Sequence, residues 1–292
     1  MLEKKSLCKI NLLLNILGKR ADGYHELETV LHPVDLADEL TFERAGQGIT
    51  LGCDNPALPV DSRNLVHRAA ASFLHAAQIQ DGVRIHLRKR IPIAAGLGGG
   101  SGNAAATLIG LNELFGQPLS AENLLPLASE LGSDVPFFLR SHSALATGRG
   151  EILAPVGPFP ALRETFLVLA HPGFGISTPW AYGQLAQHPT ALNGQPGRAA
   201  RLVSLLEQGD LKSAGAEFYN SLEAPALKKY PLLRLFQQSF RENGALGVLM
   251  SGSGSSTFAV FQDRAAAENA LEKFTAAFSA NVWTALLPMS EG

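Results

Sequence analysis

The segment that most restricts what this chain can fold into is a glycine run, Gly96-Leu97-Gly98-Gly99-Gly100-Ser101-Gly102. It lies between Val83–Leu87, whose alternating apolar residues predict a half-buried strand, and Asn103–Phe115, an alanine-rich segment predicted as a helix. Successive glycines let backbone N–H groups turn towards one point, and a helix N-terminus adds free N–H groups and a positive dipole end. Because flexible linkers rarely stand directly between a strand and a helix, we expect an anion site suited to phosphate.

The glycine run does not match the two commonest nucleotide-binding motifs. No lysine follows the glycines, so the GxxxxGK[ST] pattern of a Walker A loop is absent. A dinucleotide fingerprint can be read only weakly, as Gly100-x-Gly102-x-x-Ala105 with Glu122 as the acidic residue. That fingerprint usually follows the first strand of its domain, whereas this run lies deep in the chain. A Rossmann-type oxidoreductase is therefore a weak alternative.

Composition narrows the class of protein. Of the 292 residues, 46% are hydrophobic and 17% are charged, which suits a sizeable core, and the length favours two domains. A formal net charge of -2 argues against broad nucleic-acid or anionic-membrane binding. Cys8 and Cys53 lack CxxC spacing, which argues against a zinc site or disulfide framework and suits a reducing cytosol. Asn11 and Asn15 interrupt the first apolar stretch, and no run reaches transmembrane length, so we expect a cytoplasmic protein.

Strand and helix patterns follow one another in a mixed order, which favours an α+β fold over a doubly wound parallel sheet. The predicted strands are Lys5–Leu17, Glu39–Glu43, Ile49–Gly52, Val83–Leu87, Phe166–Ala170, Ala245–Met250 and Thr257–Phe261, the last two as a hairpin. The predicted helices are Asn64–Ala77, Asn103–Phe115, Ser120–Leu131 with Ser120 as N-cap, Pro179–Gln187 and Ala265–Ala277, with others up to Arg241. Proline-rich Pro155–Pro160 is the best linker candidate and places the domains at residues 1–157 and 158–292. Thr190–Gly197 is predicted as a loop, either a lid or disordered.

Two polar features each allow two interpretations. Alternation in the first strand places Lys9 and Asn11 on one face, which is either exposed to solvent or functional. Asp134 follows Gly132 and precedes an apolar run, so it is either a turn or cap residue or a functional carboxylate.

The joint order of five segments is more specific than any one of them. They are Lys9–Asn11, Asp22-Gly-Tyr-His25, Pro92–Ala106, Gly132–Pro136 and Gly252-Ser-Gly-Ser-Ser256. In this order and at these separations they resemble the GHMP kinase superfamily, and the third and fifth are similar to its phosphate loop and its third motif. The resemblance covers nearly the whole chain. It implies an N-terminal domain like the second domain of a small-subunit ribosomal protein, and a ferredoxin-like C-terminal domain.

The resemblance also implies a role for each matched residue. Asp134 is implied as the catalytic base and Lys9 as its partner. Together with a phosphate loop these two residues are sufficient for catalysis, because positioning and electrostatics contribute most of the rate enhancement in phosphoryl transfer. The residues implied in ATP binding are Pro92, Ile93, Ala94, Ala95, Gly96, Leu97, Gly98, Gly99, Gly100, Ser101, Gly102 and Asn103 in the loop, and Asn64, Leu65 and Lys89 near the adenosine. Lys89 is alternatively a solvated strand residue. The family commonly has Ser or Ala where this chain has Gly102, and we expect the glycine to loosen the loop.

A metal is expected only together with the nucleotide. Mg²⁺ is implied on ATP, held mainly by phosphates and water, with Ser101 as a candidate ligand and no dedicated carboxylate cage.

Four segments narrow the resemblance to the branch that phosphorylates a cytidine diphosphate sugar alcohol on the non-mevalonate route to isoprenoids. They are Lys9–Leu12, Gly18–His25, Gly132–Pro136, and Ala170–Gly173 followed by Thr178-Pro179. The resemblance implies that Tyr24 stacks on cytosine, that His25 contacts its polar edge and that Tyr182 supplies a second ring. It also implies that Asn11 and Thr178 hold the diphosphate and the sugar alcohol. The expected partners are these two small molecules, for a monomer or homodimer that binds neither nucleic acid nor membrane.

Two further alternatives remain. A homoserine or mevalonate kinase of the same superfamily is disfavoured because its substrate has no base on which Tyr24 would stack. A non-catalytic nucleotide-binding regulator is disfavoured because Lys9 and Asp134 are both present.

Overall fold

The computed structural model describes residues 1–140, 142–278, 282–290 and 292. Its strands form two sheets among numerous helices, which confirms the α+β class. The chain divides into unit 1, with Met1–Cys8, Leu36–Pro92 and Gly98–Ser141, and unit 2, with Lys9–Asp35, Ile93–Leu97 and His142–Gly292. The domain boundary at residues 157 and 158 stays a prediction. Within the described ranges, no helix is long and apolar enough to cross a bilayer.

Unit 1 combines a sheet with helices. Its strands, two of which continue into unit 2, are β1 (Leu2–Lys19), β2 (His25–Ala45), β3 (Ile49–Cys53) and β4 (Gly82–Arg88), and its helices are α1 (Leu65–Ala76), α2 (Gly99–Leu114), α3 (Ala121–Leu131) and α4 (Val135–Phe138). β4 pairs antiparallel with Glu39–Ala45 of β2 and parallel with β3. The apolar residues that alternate along β4 are fully buried, as predicted. Ser120 caps α3, as predicted, because its side chain accepts a hydrogen bond from Asn123 N.

Two element boundaries differ from the prediction. β2 extends over 21 residues instead of the expected Glu39–Glu43, because its first half carries buried polar residues that hide the alternation. α2 begins at Gly99 instead of Asn103, because glycine's poor helix propensity conceals a first turn made of glycines. Further along α2, Gly110 allows close packing on the sheet, since a Cβ there would lie 2.6 Å from Phe42 Cε2.

Unit 2 contains a second sheet. The strands of this unit are β5 (Ala144–Thr147), β6 (Ile152–Pro155), β7 (Phe166–His171), β8 (Tyr219–Asn220), β9 (Gly247–Met250), β10 (Thr257–Phe261) and β11 (Trp283–Pro288), and the second sheet consists of β7, β9, β10 and β11. Its helices are α5 (Thr178–Gln184), α6 (Pro189–Leu192), α7 (Arg198–Glu207), α8 (Leu211–Ala216), α9 (Glu223–Lys229), α10 (Pro231–Glu242) and α11 (Arg264–Phe278). The strand order β11–β7–β10–β9 is antiparallel throughout and is that of a ferredoxin-like βαββαβ unit, so this prediction and the β9–β10 hairpin are confirmed.

Aromatic rings fill the core beside this second sheet. Phe274 of α11 lies with its ring centroid 4.8 Å from that of Phe236 and 4.5 Å from that of Phe240, both on α10. All three side chains are fully buried. Their burial fixes α10 and α11 together, because large apolar side chains supply most of the free energy of packing.

Two segments expected to be loose are packed. In the predicted linker, Phe159 is fully buried and Val156 N donates to Ser143 O at 3.0 Å, so Pro155–Pro160 is not a free linker. In the predicted loop Thr190–Gly197, Gln195 O accepts a hydrogen bond from Asn15 Nδ2 at 2.8 Å. That loop includes the end of α6 and is fastened to β1.

Candidate active site

The glycines that open α2 form one half of the candidate phosphate loop, and they belong to unit 1. Gly98, with φ of +71°, is the N-cap, and among the described residues no side chain caps this helix. The N–H groups of its first turn are therefore oriented to bind an anion. A Cβ at Gly102 would lie 2.7 Å from Leu7 O. We therefore infer that this buried glycine allows α2 to pack closely against β1, and that it does not loosen the loop.

The preceding half of the loop, Ile93–Leu97, belongs to unit 2, where Gly96 accepts two hydrogen bonds through its carbonyl oxygen. The donors are Lys9 Nζ at 3.1 Å and Ser251 Oγ at 3.0 Å. In addition, Ser256 N donates to Ala95 O at 3.1 Å. The structure thus brings together Lys9, the start of the phosphate loop and the late Gly/Ser segment, as the order of the motifs implied.

Lys9 and Asn11 lie on one face of β1, and both are almost fully buried, at 4% and 3% exposed. Burying an ammonium group costs free energy unless it is paired or hydrogen-bonded. Lys9 Nζ donates to Asn11 Oδ1 at 2.5 Å as well as to Gly96, and Asn11 Nδ2 donates to Thr29 Oγ1 at 2.9 Å. The interpretation of this face as solvent-exposed is wrong, since it is a buried polar face beside the loop.

Asp134 lies in unit 1 at the turn between α3 and α4, where Val135 N donates to Gly132 O at 3.1 Å. It is half-buried and occupies the N-cap position of α4. Within the part of the chain that the structure describes, its side chain makes no capping hydrogen bond to that helix. Its position in the turn agrees with the interpretation as a turn residue, and its role as a functional carboxylate stays a prediction. Its pairing with Lys9 stays a prediction.

The three residues expected near the adenosine are all in unit 1. Leu65 and Lys89 lie beside the loop, because a Cβ at Gly100 would be 3.6 Å from Leu65 Cδ1 and one at Gly99 would be 3.1 Å from Lys89 Nζ. Asn64 has a structural task as the N-cap of α1, with its Oδ1 accepting from Val66 N at 2.9 Å. Lys89 is not a solvated residue: its side chain is 5% exposed and it forms an ion pair with Asp38.

The expected acceptor residues are in unit 2. The rings of His25 and Tyr182 lie together, with centroids 5.1 Å apart and planes tilted by 44°. Tyr24 is 57% exposed, and the guanidinium of Arg149 lies 4.7 Å from its ring centroid. Burial, and to a smaller extent the charge of Lys19, lowers the pKa of His25, so its imidazole is neutral at pH 7. A neutral imidazole both donates and accepts, which suits the mixed edge of a pyrimidine.

Thr178 lies beside the late Gly/Ser segment. Its Oγ1 lies 2.9 Å from Ser253 Oγ, so the N-terminus of α5 contacts the segment whose Ser256 N bonds Ala95 O. Thr178 therefore lies in the same part of unit 2 as the start of the phosphate loop.

Four residues that contact the candidate site residues were not predicted from the sequence. They are Thr29, which bonds Asn11, Ser251, which bonds Gly96, Arg149, which lies over Tyr24, and Asp38, which pairs with Lys89. All four lie outside the quoted motifs, and their partners are distant in sequence. The only local signal was the position of Ser251 at the edge of the Gly/Ser segment.

Comparisons with known proteins show which family the chain resembles. The model of the GHMP kinases N-terminal domain matches residues 64–142, and that of the GHMP kinases C-terminal domain matches residues 202–280. A 4-diphosphocytidyl-2-C-methyl-D-erythritol kinase from Synechococcus is 42% identical over 257 residues, which cover 86% of this chain and 82% of that protein. One from Pelotomaculum thermopropionicum is 42% identical over 267 residues, covering 91% of each chain.

Solved structures extend the likeness to the fold. A 4-(cytidine 5'-diphospho)-2C-methyl-D-erythritol kinase superimposes with a TM-score of 0.78 at 35% identity, covering 98% of this chain and 99% of that chain. A homoserine kinase from Cytophaga hutchinsonii also gives 0.78, but at 22% identity, over 99% of this chain and 95% of that chain, and it shows only a shared fold. Together with the two domain matches, the relatives at 42% identity show that the chain belongs to the GHMP kinase family and, within it, to the 4-diphosphocytidyl-2-C-methyl-D-erythritol kinases.

Proposed function

We propose that this protein transfers the γ-phosphoryl group of ATP to the 2-hydroxyl of 4-diphosphocytidyl-2-C-methyl-D-erythritol, giving the 2-phosphate and ADP in the non-mevalonate pathway to isoprenoid precursors. The relatives at 42% identity carry the name of this kinase, which supports the substrate. The observation that carries the proposal is the Lys9 ammonium, which is buried and hydrogen-bonded to the carbonyl of Gly96 in the phosphate loop. A buried cation at such a loop is suited to a reaction in which negative charge develops on phosphoryl oxygens.

The chemistry requires a base and a fixed orientation. The reacting hydroxyl shares its carbon with a methyl group, so it is a hindered alcohol that must be held in line with the γ-phosphorus. Asp134 accepts the hydroxyl proton as the new O–P bond forms. Lys9 and the N–H groups that open α2 offset the charge on the transferring group, and ADP leaves with the electrons of the broken bond. Asn11 orients Lys9 through the bond between Oδ1 and Nζ.

The acceptor is selected by its base. Tyr24 stacks on cytosine with the ring face that Arg149 does not cover, and His25 pairs with the polar edge of the base beside Tyr182. A site built to hydrogen-bond a base rejects an alcohol that lacks one, because its polar groups would stay unpaired. Thr178 and Asn11 contact the diphosphate and the sugar alcohol.

Mg²⁺ accompanies ATP in this proposal and neutralises part of the phosphate charge. Within the described residues, no group of three or more His, Cys, Asp or Glu side chains is placed to hold a metal ion. We propose that phosphates and water hold this cation for the most part. Ser101 has the only hydroxyl in the stretch from Pro92 to Gly102 and is the candidate protein ligand. We also propose a cytoplasmic monomer or homodimer.

The test is a direct product analysis. The purified protein is incubated with ATP, Mg²⁺ and the diphosphocytidyl substrate, and phosphorus NMR and mass spectrometry are used to look for a new phosphomonoester and ADP. Parallel reactions contain homoserine or mevalonate as acceptor. We expect product only with the cytidine substrate. Phosphorylation of mevalonate or homoserine at a similar rate, or no product with the cytidine substrate, refutes the proposal.

A further inference from the structure

Asp38 is a buried carboxylate in unit 1 that accepts hydrogen bonds from both sides of the phosphate loop. Its Oδ1 accepts from Arg90 N at 2.7 Å and from Ile91 N at 2.8 Å. Its Oδ2 accepts from Asn103 Nδ2 at 2.9 Å and pairs with the ammonium of Lys89. The side chain is 0% exposed, and a carboxylate in such a place is tolerated only when it is paired and hydrogen-bonded.

The positions of these four donors indicate that the carboxylate holds the phosphate loop in place. Lys89, Arg90 and Ile91 are the last residues before the loop begins at Pro92, and Asn103 is the first residue after Gly102. One side chain therefore holds the chain where it enters the loop and where it leaves it. Because the N–H groups of a phosphate loop bind only when they converge, fixing both ends determines the shape of the site.

The charge of Lys89 is a second reason why a carboxylate is needed at Asp38. Its Nζ lies 3.1 Å from where a Cβ of Gly99 would be, at the first residue of α2. A cation is unfavourable beside a helix N-terminus, which carries positive partial charge, unless an anion is near. Asp38 supplies that anion in the free protein and keeps Lys89 beside the N–H groups, where an incoming phosphate gains from both.

We propose that Asp38 is a positioning residue of the ATP site, which acts by holding Lys89 and the two ends of the loop. This rests on the proposed function only in that ATP is the ligand of the loop. Asp38→Asn is the informative change. The amide oxygen can still accept from Arg90 N and Ile91 N, but the NH₂ group then faces two donors, Asn103 Nδ2 and Lys89 Nζ.

The experiment measures nucleotide binding without the acceptor. Calorimetric titration with a non-hydrolysable ATP analogue and Mg²⁺ should show Asp38→Asn binding about ten- to hundredfold more weakly, the effect of losing hydrogen bonds to a charged group. Lys89→Met should also weaken binding of the ATP analogue. In the Lys89→Met background, Asp38→Asn should lower the affinity by a smaller factor than it does in the wild type, because the two residues act together. The KM of the acceptor at saturating ATP should not change. Glu39→Gln is the matched control, because Glu39 is the next carboxylate on β2 and makes exposed ion pairs with Arg88 and Arg90.

A structural role alone would give a different pattern. If Asp38→Asn lowers Tm but leaves the affinity for the analogue unchanged, the proposal is refuted. If Asp38→Asn does not fold, Asn103→Ala and Lys89→Met are titrated in its place, and unchanged affinity in both also refutes it. The titration with the ATP analogue contains no acceptor. If the protein failed to phosphorylate the cytidine substrate, the acceptor assignment would be refuted, but the titration would still test the role of Asp38.

Discussion

Replacing Gly96 by Ala should destabilise unit 2 strongly. Gly96 has φ of +78°, and its Cβ would lie 2.1 Å from Ser251 O and 3.0 Å from Gly254 N. A left-handed backbone costs a residue with a Cβ roughly 1–2 kcal/mol. The clash is with backbone, so the loop must move away and weaken the hydrogen bonds that Gly96 O accepts from Lys9 and Ser251. A lost hydrogen bond costs about 1 kcal/mol, and more when the donor is charged, so we expect a total loss of about 4 kcal/mol.

Gly100→Ala is the matched control within the same loop. Gly100 is exposed, and the nearest atom to its Cβ would be Leu65 Cδ1 at 3.6 Å, an ordinary contact. As a Gly to Ala change inside a helix, it should be neutral or stabilising by up to about 1 kcal/mol.

Urea unfolding followed by tryptophan fluorescence suits this comparison. Both tryptophans, Trp180 and Trp283, belong to unit 2, so their fluorescence reports the unit that holds Gly96, and far-UV circular dichroism of the same samples also reports unit 1, which holds Gly100. We expect a lower midpoint for Gly96→Ala with an unchanged slope. If Gly96→Ala unfolds within about 0.5 kcal/mol of the wild type, or if Gly100→Ala is equally unstable, the reasoning from the backbone contact is wrong.

Changes at three other residues test the catalytic, substrate and pH assignments. Asp134→Asn keeps the shape and removes the base, so kcat should fall about 10²–10⁴-fold with little change in either KM; a wild-type kcat would contradict the assignment. Tyr24→Ala should weaken the cytidine substrate by about 1–3 kcal/mol without affecting ATP, whereas Tyr24→Phe keeps the ring face and should be nearly silent; a rise in the KM of ATP alone would place Tyr24 at the donor site. Burial lowers the pKa of His32 to about 4, so the neutral ring stabilises the fold above pH 6.5 and this stability is lost as the pH falls from 6.5 through 4. The full loss is about 3 kcal/mol, and urea unfolding at several pH values should show a flatter dependence for His32→Gln; an unchanged dependence would refute it.

The residues that carry the chemistry were largely predictable, because motifs keep them at short and characteristic spacings. Lys9 and Asn11 alternate along one strand, and the glycine run precedes a helix, so their local arrangement follows from strand and helix geometry. The structure confirms the shared face and the ferredoxin-like unit. The roles themselves came from the family resemblance, because two polar residues on a strand do not identify a reaction.

What the sequence did not reveal depends on partners far along the chain. Asp38 looks like one more surface charge beside Glu39, and only the fold shows that its four donors lie about 50 and 65 residues later. The burial of Lys9 likewise depends on Gly96, which is 87 residues away. Local periodicity contains no information about such contacts, so buried polar residues are read as exposed and strands that carry them, such as β2, are predicted too short.

The contacts of β1 with later parts of the chain also determine how long β1 waits for its partners during synthesis. Asn11 N and Ser251 Oγ are separated by 240 residues, and β1 pairs in parallel with β8 through Leu13 and Tyr219. A ribosome adds about 5–20 residues per second, so β1 waits on the order of ten to fifty seconds for these partners to be translated. During that interval Asn11 N lacks its partner Ser251, and Leu13 and Leu14 lack the strand β8 with which they pair. Asn11 N therefore reaches its partner Ser251 only after most of the residues between them have been translated, and β1 stays available to a chaperone throughout that interval.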